Sequence, residues 1–311
     1  MAAPTPMSAP ATLSGLRSEL KVPGLRQVFF NSAKSVNTLI PTLFKVQTSK
    51  RSFEETLSMT GITDFVALAE GSTISAQAIG QGYKSRWTHV RYANGTSYTQ
   101  DAIDDELYGV LKDKAETLGK SSARTREKQA ASFFNGGQTT VWNTEEGQFF
   151  FDTDHPIDPR ALTIGSASTF SNLVTGDLAI STLQEAIVLL QTCPDAMGSP
   201  MNLSPRMLLV HPTKVFLAKQ ILGSPGEHDS ANRASNPFAD FNIKVVSWPY
   251  LTSTSACFLG SDENPLIWFN RTPLKDDLDY DISSLIYKHV AHYRVSFGAK
   301  DPRGWVCITG S

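Results

Sequence analysis

The strongest helical pattern in the chain runs from about Asp101 to Phe134, DAIDDELYGVLKDKAETLGKSSARTREKQAASFF, and it constrains what can be built around it. Ile103, Leu107, Val110, Leu111 and Leu118 recur at near-helical spacing, with Ala115 between them. Asp101, Asp104, Asp105 and Glu106 crowd the first turns, and Lys112, Lys114, Lys120, Arg124, Arg126 and Lys128 come later, the order a helix dipole favours. Asn135-Gly136-Gly137 supplies a stop, and Gly119 with Ser121-Ser122 is expected to interrupt or bend the helix. About thirty residues at 1.5 Å each span roughly 45 Å. That is longer than an ordinary globular helix, so the segment reads as a spine across which other elements pack.

What precedes the spine lacks a core of its own. Residues 1–12 are rich in Ala, Pro, Ser and Thr and are expected to be mobile in isolation. Leu13, Leu16 and Leu20 give a short amphipathic hint, after which residues 22–50 read as an extended arm carrying thinly spread Val28, Phe29, Phe30, Leu39, Ile40, Leu43 and Phe44. Residues 61–98 are rich in Gly, Ser, Thr and Ala, and their middle offers little beyond Ile74 and Ile79. Tyr83, Trp87, Val90 and Tyr92 then alternate as a strand does. This predicts a long two-stranded excursion with a flexible tip, marginal unless something covers it. Phe29, Phe30, Ile74, Ile79, Tyr83 and Trp87 are therefore the candidates for contact with another subunit.

The second half mixes helices and strands, an α+β pattern. Thr182 and Glu185 stand in capping-box spacing before the apolar face of Ala186, Ile187, Leu189 and Leu190. Met207 to Val210 reads as a buried strand, His211-Pro212 as a helix start, and Val215, Phe216, Ala218 and Leu222 as the helix. FNIKVVSWPYL, ACFLG and PLIWFN read as three strands, and the last thirty residues as two or three more with a turn at Gly298 to Arg303.

Composition removes several function classes. With 28 Lys+Arg against 30 Asp+Glu, the chain lacks the basic excess of a dedicated nucleic-acid binder. Cys193, Cys257 and Cys307 form no CxxC and are expected to be reduced structural thiols in a cytosolic setting. The N-terminus lacks the charged start and apolar core of a signal peptide, and no run of about 18 apolar residues exists to cross a membrane.

One stretch looks chemical: Phe149-Phe-Phe-Asp-Thr-Asp-His-Pro156. Asp152, Asp154 and His155 form the kind of set that ligates a divalent metal in an enzyme, given a further ligand from His89, His211, His228, His289 or His292. The competing reading is a corner, in which the two Asp side chains cap backbone donors and His155-Pro156 ends a strand that the phenylalanines begin. The GxSxG elbow, the phosphate-binding loop and the dinucleotide fingerprint are all missing; Gly80-Gln81-Gly82 is a fragment within the excursion. No catalytic residue and no cofactor are expected. On the spine, Lys120, Arg124, Arg126 and Lys128 either form a solvated face paired with Asp113, Glu116 and Glu127 or meet the phosphates of a polyanion. The latter would also suit a DNA- or membrane-associated adaptor.

The order of these parts resembles the HK97-like fold of tailed-phage major capsid proteins, and within it the Mu-like major head subunit (gpT-like) family. The likeness is carried by Phe149 to Pro156, by the Asp104 to Phe134 helix running into Asn135-Gly136-Gly137, by the strand–His-Pro–helix unit from Arg206 to Ile221, and by Tyr293-Arg-Val-Ser-Phe-Gly298. The resemblance implies a structural subunit that closes hexamers and pentamers of an icosahedral shell around double-stranded DNA. It implies an N-terminal arm over residues 1–50, an extended loop over 51–100, a peripheral domain with the spine over 101–174, an axial domain over 175–280, and strands returning to the peripheral domain over 281–311. Its implied partners are copies of itself, scaffold, portal and decoration proteins, and packaged DNA touched without sequence preference, but no membrane. The implied place is the virion capsid, assembled in the host bacterial cytoplasm. Some capsids of this fold cross-link a Lys to an Asn; Lys84 lies in the corresponding segment, but no cross-link is expected here.

Overall fold

The computed structural model describes residues 13–59, 61, 62, 64–74, 76, 80–105, 108–142, 146–158, 168–223 and 237–310. In chain order the elements are α1 (Leu13–Ser35), α2 (Ile40–Leu43), β1 (Lys45–Thr48), β2 (Phe53–Met59), β3 (Gln81–Thr88), β4 (Val90–Thr99), α3 (Gln100–Asp104) and α4 (Tyr108–Asn135). They continue with β5 (His155–Pro156), β6 (Thr169–Phe170), β7 (Leu173–Val174), α5 (Ile180–Gln191), β8 (Pro205–Val210), α6 (Val215–Gly223), β9 (Lys244–Ser247), β10 (Cys257–Ser261), β11 (Leu266–Asp281), β12 (Ile286–Ala299) and β13 (Trp305–Ile308). The chain divides into two compact units: residues 1–38, 90–126 and 272–294 form the first, and 39–89, 127–271 and 295–311 the second.

In the first unit, α1 packs on the start of α4. The arm was expected to be extended; instead α1 is a 23-residue helix continuing through Pro23-Gly24 to Ser35. The reason is tertiary. Leu25 and Phe29, four apart, are both buried, the first with Tyr98, Leu111 and Ala115, the second with Leu118 and Ala291. Neither Gly119 nor Ser121-Ser122 interrupts α4, which runs as one helix of 28 residues. A Cβ at Gly119 would lie within van der Waals overlap of the Phe29 carbonyl and 3.2 Å from the Ala33 nitrogen, so glycine is what lets the α1 backbone approach. Gly119→Leu is expected to lift α1 off α4, read as accelerated proteolysis within residues 24–35 while the second unit stays resistant. The expected single helix from Asp101 is two: Thr99 caps α3, its Oγ1 accepting from Ala102 N at 3.3 Å, and α4 starts afresh at Tyr108.

The second unit is built on a five-stranded sheet, order β7-β13-β10-β8-β9. β10 runs antiparallel to β13 and β8, while β9 pairs β8 in parallel and β7 pairs β13 in parallel. Leu183, Ala186, Ile187 and Leu190 of α5 bury against Leu208, Val210, Cys257, Leu259, Val306 and Ile308. The strand–His-Pro–helix unit is present, with a 3-10 turn at Pro212–Lys214 between β8 and α6. The strands expected near FNIKVVS, ACFLG and PLIWFN are β9, β10 and the start of β11. Thr182 is not the cap of α5 but its third residue, where its Oγ1 accepts from Ala179 N at 2.9 Å. All three cysteines are free and buried, and burial pushes the Cys193 thiol up to about 11 and those of Cys257 and Cys307 up to about 12. They are inert packing groups.

A second, aromatic core lies where α4 ends. Phe133 meets Phe150 at 4.7 Å, and Phe134 meets Phe258, Trp305 and Trp248 at 5.2, 5.1 and 6.0 Å between centroids. Glu127 sits beside it, 1% exposed, accepting from Leu39 N and Trp248 Nε1, each at 3.0 Å. This corrects its expected place on a solvated face: the carboxylate faces inward and satisfies two buried donors at once. Glu127→Ala strands both and is expected to cost about 3–5 kcal/mol in chemical denaturation. Glu127→Gln does not restore stability, because its amide nitrogen faces one of those donors.

Candidate functional site: the corner at His155 and the uncovered loop

The FFFDTDHP stretch is a corner in the second unit. Phe150 and Phe151 are buried and Phe149 is 37% exposed. Gly137 makes room for them: a Cβ there would fall 2.5 Å from the Phe151 ring, and Gly137 O accepts from Phe151 N at 2.9 Å. The phenylalanines form no strand. The strand begins at His155 instead, which with Pro156 pairs antiparallel to Phe170 and Thr169.

His155 is fully buried and stacks on Phe170, 5.2 Å between centroids. Its Nδ1 lies 2.5 Å from Glu146 Oε1 and its Nε2 lies 3.2 Å from Asn172 Oδ1. Asn172 fixes the proton pattern. Its Nδ2 donates to Phe150 O at 2.8 Å and Pro302 O at 3.2 Å, and its Oδ1 accepts from Asp152 N at 2.9 Å. Oδ1 therefore faces His155 as an acceptor, and Nε2 must carry hydrogen.

The carboxylates of the two aspartates stand outside this network, although the Asp152 backbone is part of it. Asp152 Oδ1 accepts from the neighbouring Thr153 N at 2.7 Å, the capping role expected of it. Asp154 is exposed, and its backbone carbonyl accepts from Gln148 Nε2 at 3.2 Å. Among the described residues no group of three or more His, Cys, Asp or Glu side chains is placed to hold a metal ion. The metal-enzyme reading of Asp152, Asp154 and His155 has no support in this geometry. Glu146, Asn172 and Arg303, which sequence reasoning missed, do the joining. Arg303 donates to Pro194 O at 2.6 Å and Ile157 O at 2.9 Å, pairs with Asp301 at 2.9 Å and lies over the Phe170 ring.

The stem of the excursion meets this corner. Ser58, Met59 and Tyr83 line a space of about 40 Å³ together with Glu146, Pro156 and Arg303, enough for about one or two waters. Burial, and next the Glu146 charge, push the Tyr83 phenol up to about 12. A two-stranded stem is present but begins earlier than the excursion expected over residues 61–98: β2 and β3 pair antiparallel from Phe53–Thr88 to Met59–Gln81, and Val90 and Tyr92 fall in β4, which belongs to another sheet. Lys84 pairs with Glu55 at 3.0 Å across the stem, and Arg86 covers the Phe53 ring at 4.0 Å.

Beyond the stem the apolar side chains are uncovered. Ile62 is 71% exposed, Val66 85%, Leu68 55% and Ile74 80%, Phe65 is fully exposed, and Met59 at the end of the stem is 65% exposed. Of the six interface candidates, Ile74 thus lies in the open, Tyr83 and Phe30 are half-buried, and Ile79 lies outside the described residues. Phe29 and Trp87 are 0% exposed, each consumed by a core of its own unit, Trp87 with Ile267 and Phe269. Neither offers surface to a second chain.

On the spine, Arg124 and Lys128 are exposed, while Arg126 is half-buried with its guanidinium 5.9 Å over the Tyr293 ring. Lys120 bonds Glu116 one turn earlier at 2.5 Å and thereby lowers the Glu116 carboxyl. No helix among the described residues is long and apolar enough to cross a membrane.

Known proteins match this chain along most of its length. The sequence model of the family described as phage capsid protein matches residues 82–308. The major head subunit of the Mu-like prophage FluMu of Haemophilus influenzae is 27% identical over 125 residues, a match spanning 40% of this chain and 38% of that relative. The procapsid of bacteriophage JBD30 aligns over 97% of this chain and 77% of its own at TM-score 0.53 and 15% identity. The capsid of cyanophage P-SCSP1u aligns over 88% of both chains at TM-score 0.58 and 13% identity. The chain belongs to the phage capsid protein family, with an HK97-like α+β fold.

Proposed function

We propose that this chain is the major head subunit of a tailed phage or Mu-like prophage, closing hexamers and pentamers of an icosahedral shell around double-stranded DNA. The observation that carries the reading is the apolar loop tip, with Ile62, Phe65, Val66 and Ile74 all more than two-thirds exposed. A lone soluble chain gains nothing from such a display, which marks a surface meant for a partner. Burying a side chain of this size yields about 1.5–3 kcal/mol, so four supply on the order of 8 kcal/mol per loop before ordering costs. Many identical contacts then act together.

In this reading residues 51–100 drape over a neighbouring copy, residues 175–280 form the axial domain, and Arg124 and Lys128 offer charge to DNA phosphates without reading bases. The shell is assembled in the host cytoplasm with scaffold and portal proteins. Sedimentation velocity with negative-stain imaging tests it: the purified chain should sediment as capsomers or shells. A 34.0 kDa monomer at all concentrations would refute it.

A further inference from the structure

The first unit contains a buried histidine that its packing leaves poorly served. His289 of β12 is 1% exposed, and neither ring nitrogen has a hydrogen-bond partner. The nearest acid is Asp276 of β11, its Oδ2 3.5 Å from Nε2, too long for a full hydrogen bond. Asp276 is already engaged: Arg26 of α1 donates from Nε to its Oδ1 and from Nη2 to its carbonyl, both at 2.9 Å. The Phe29 ring, also from α1, covers the imidazole edge-on at 5.6 Å.

The other neighbours bring no compensating charge. From β4, the position of Gly95 abuts the His289 carbonyl, and from α4 the apolar Leu118 packs with Phe29. Arg26, Asp276, Asp277, Leu278 and His289 line a cavity of about 190 Å³, in which the Asp277 carboxylate lies 3.5 Å from His292. Lys288 pairs with Asp281, away at the hairpin tip.

We propose that His289 makes α1 an acid-released clamp: a proton on its ring is poorly accommodated beneath Phe29 and beside an Asp276 already held by Arg26, so protonation drives α1 off the hairpin of β11 and β12. Burial lowers the His289 pKa from its ordinary 6.5, more than Asp276 raises it. The docked state therefore binds the proton more weakly than the undocked one. Docking is fully favoured above about pH 6.5 and loses ground as pH falls from there toward the lower buried value.

Hydrogen exchange of the full chain at pH 7.5, 6.5 and 5.5, corrected for intrinsic rates, tests this. Protection of residues 24–35 should fall several-fold relative to α5 as pH drops, and His289→Gln or His289→Phe should flatten that dependence. Unchanged α1 protection in the wild-type chain would overturn the proposal whether or not the variants fold. So would an equal fall in either folded variant.

Discussion

Asn172→Leu is expected to destabilise the second unit by about 4 kcal/mol, although the two side chains are close in size. The amide makes four contacts, to Phe150 O, Pro302 O, Asp152 N and His155 Nε2. Leucine makes none of them, and each buried group left unpaired costs about 1–3 kcal/mol. Denaturant unfolding followed by tryptophan fluorescence reads the loss. Asp154→Ala, at an exposed carboxylate, should change stability by no more than about 0.5 kcal/mol. The pair separates a structural corner from a metal site, in which Asp154 would be the more sensitive residue to replace. His155→Ala and Glu146→Ala should also combine to less than the sum of their single costs, because each removes the same short bond.

The second large effect concerns assembly. Phe65→Asp with Val66→Asp should leave the folded chain unchanged, since both side chains are already in water. Assembly should suffer heavily. Losing about 4 kcal/mol of apolar burial weakens each contact roughly a thousandfold. The double variant should therefore remain as small species in sedimentation at concentrations where the wild-type chain forms particles. If it assembled normally, the loop would not be the contact.

The spine, its stop at Asn135 and the β8–α6 unit were legible because each rests on local pattern, whereas β2 at Phe53–Met59 lay outside the excursion expected over residues 61–98. α1 was not, because Pro23-Gly24 masked a short apolar period that only α4 makes meaningful. The role of Gly119 was hidden for the same reason: a glycine in a helix reads as a weakness until the partner backbone is seen against it. The corner was half legible. Asp152, Asp154 and His155 drew attention by adjacency, yet His155 is held by Glu146 and Asn172, 9 and 17 positions away. Nothing in STFSNLV marks Asn172 as the joining residue. Among the interface candidates, apolar character alone did not separate Ile74, left in the open, from Phe29 and Trp87, which bury within the chain.

The central claim is that another copy of this chain covers the loop. A cryo-electron microscopy reconstruction of particles formed by the purified chain tests it most directly. Closed shells are expected in which residues 62–74 lie on the neighbouring subunit, with Phe65 and Val66 out of solvent. Shells in which those side chains remain exposed, or a chain that forms no particle, would contradict it.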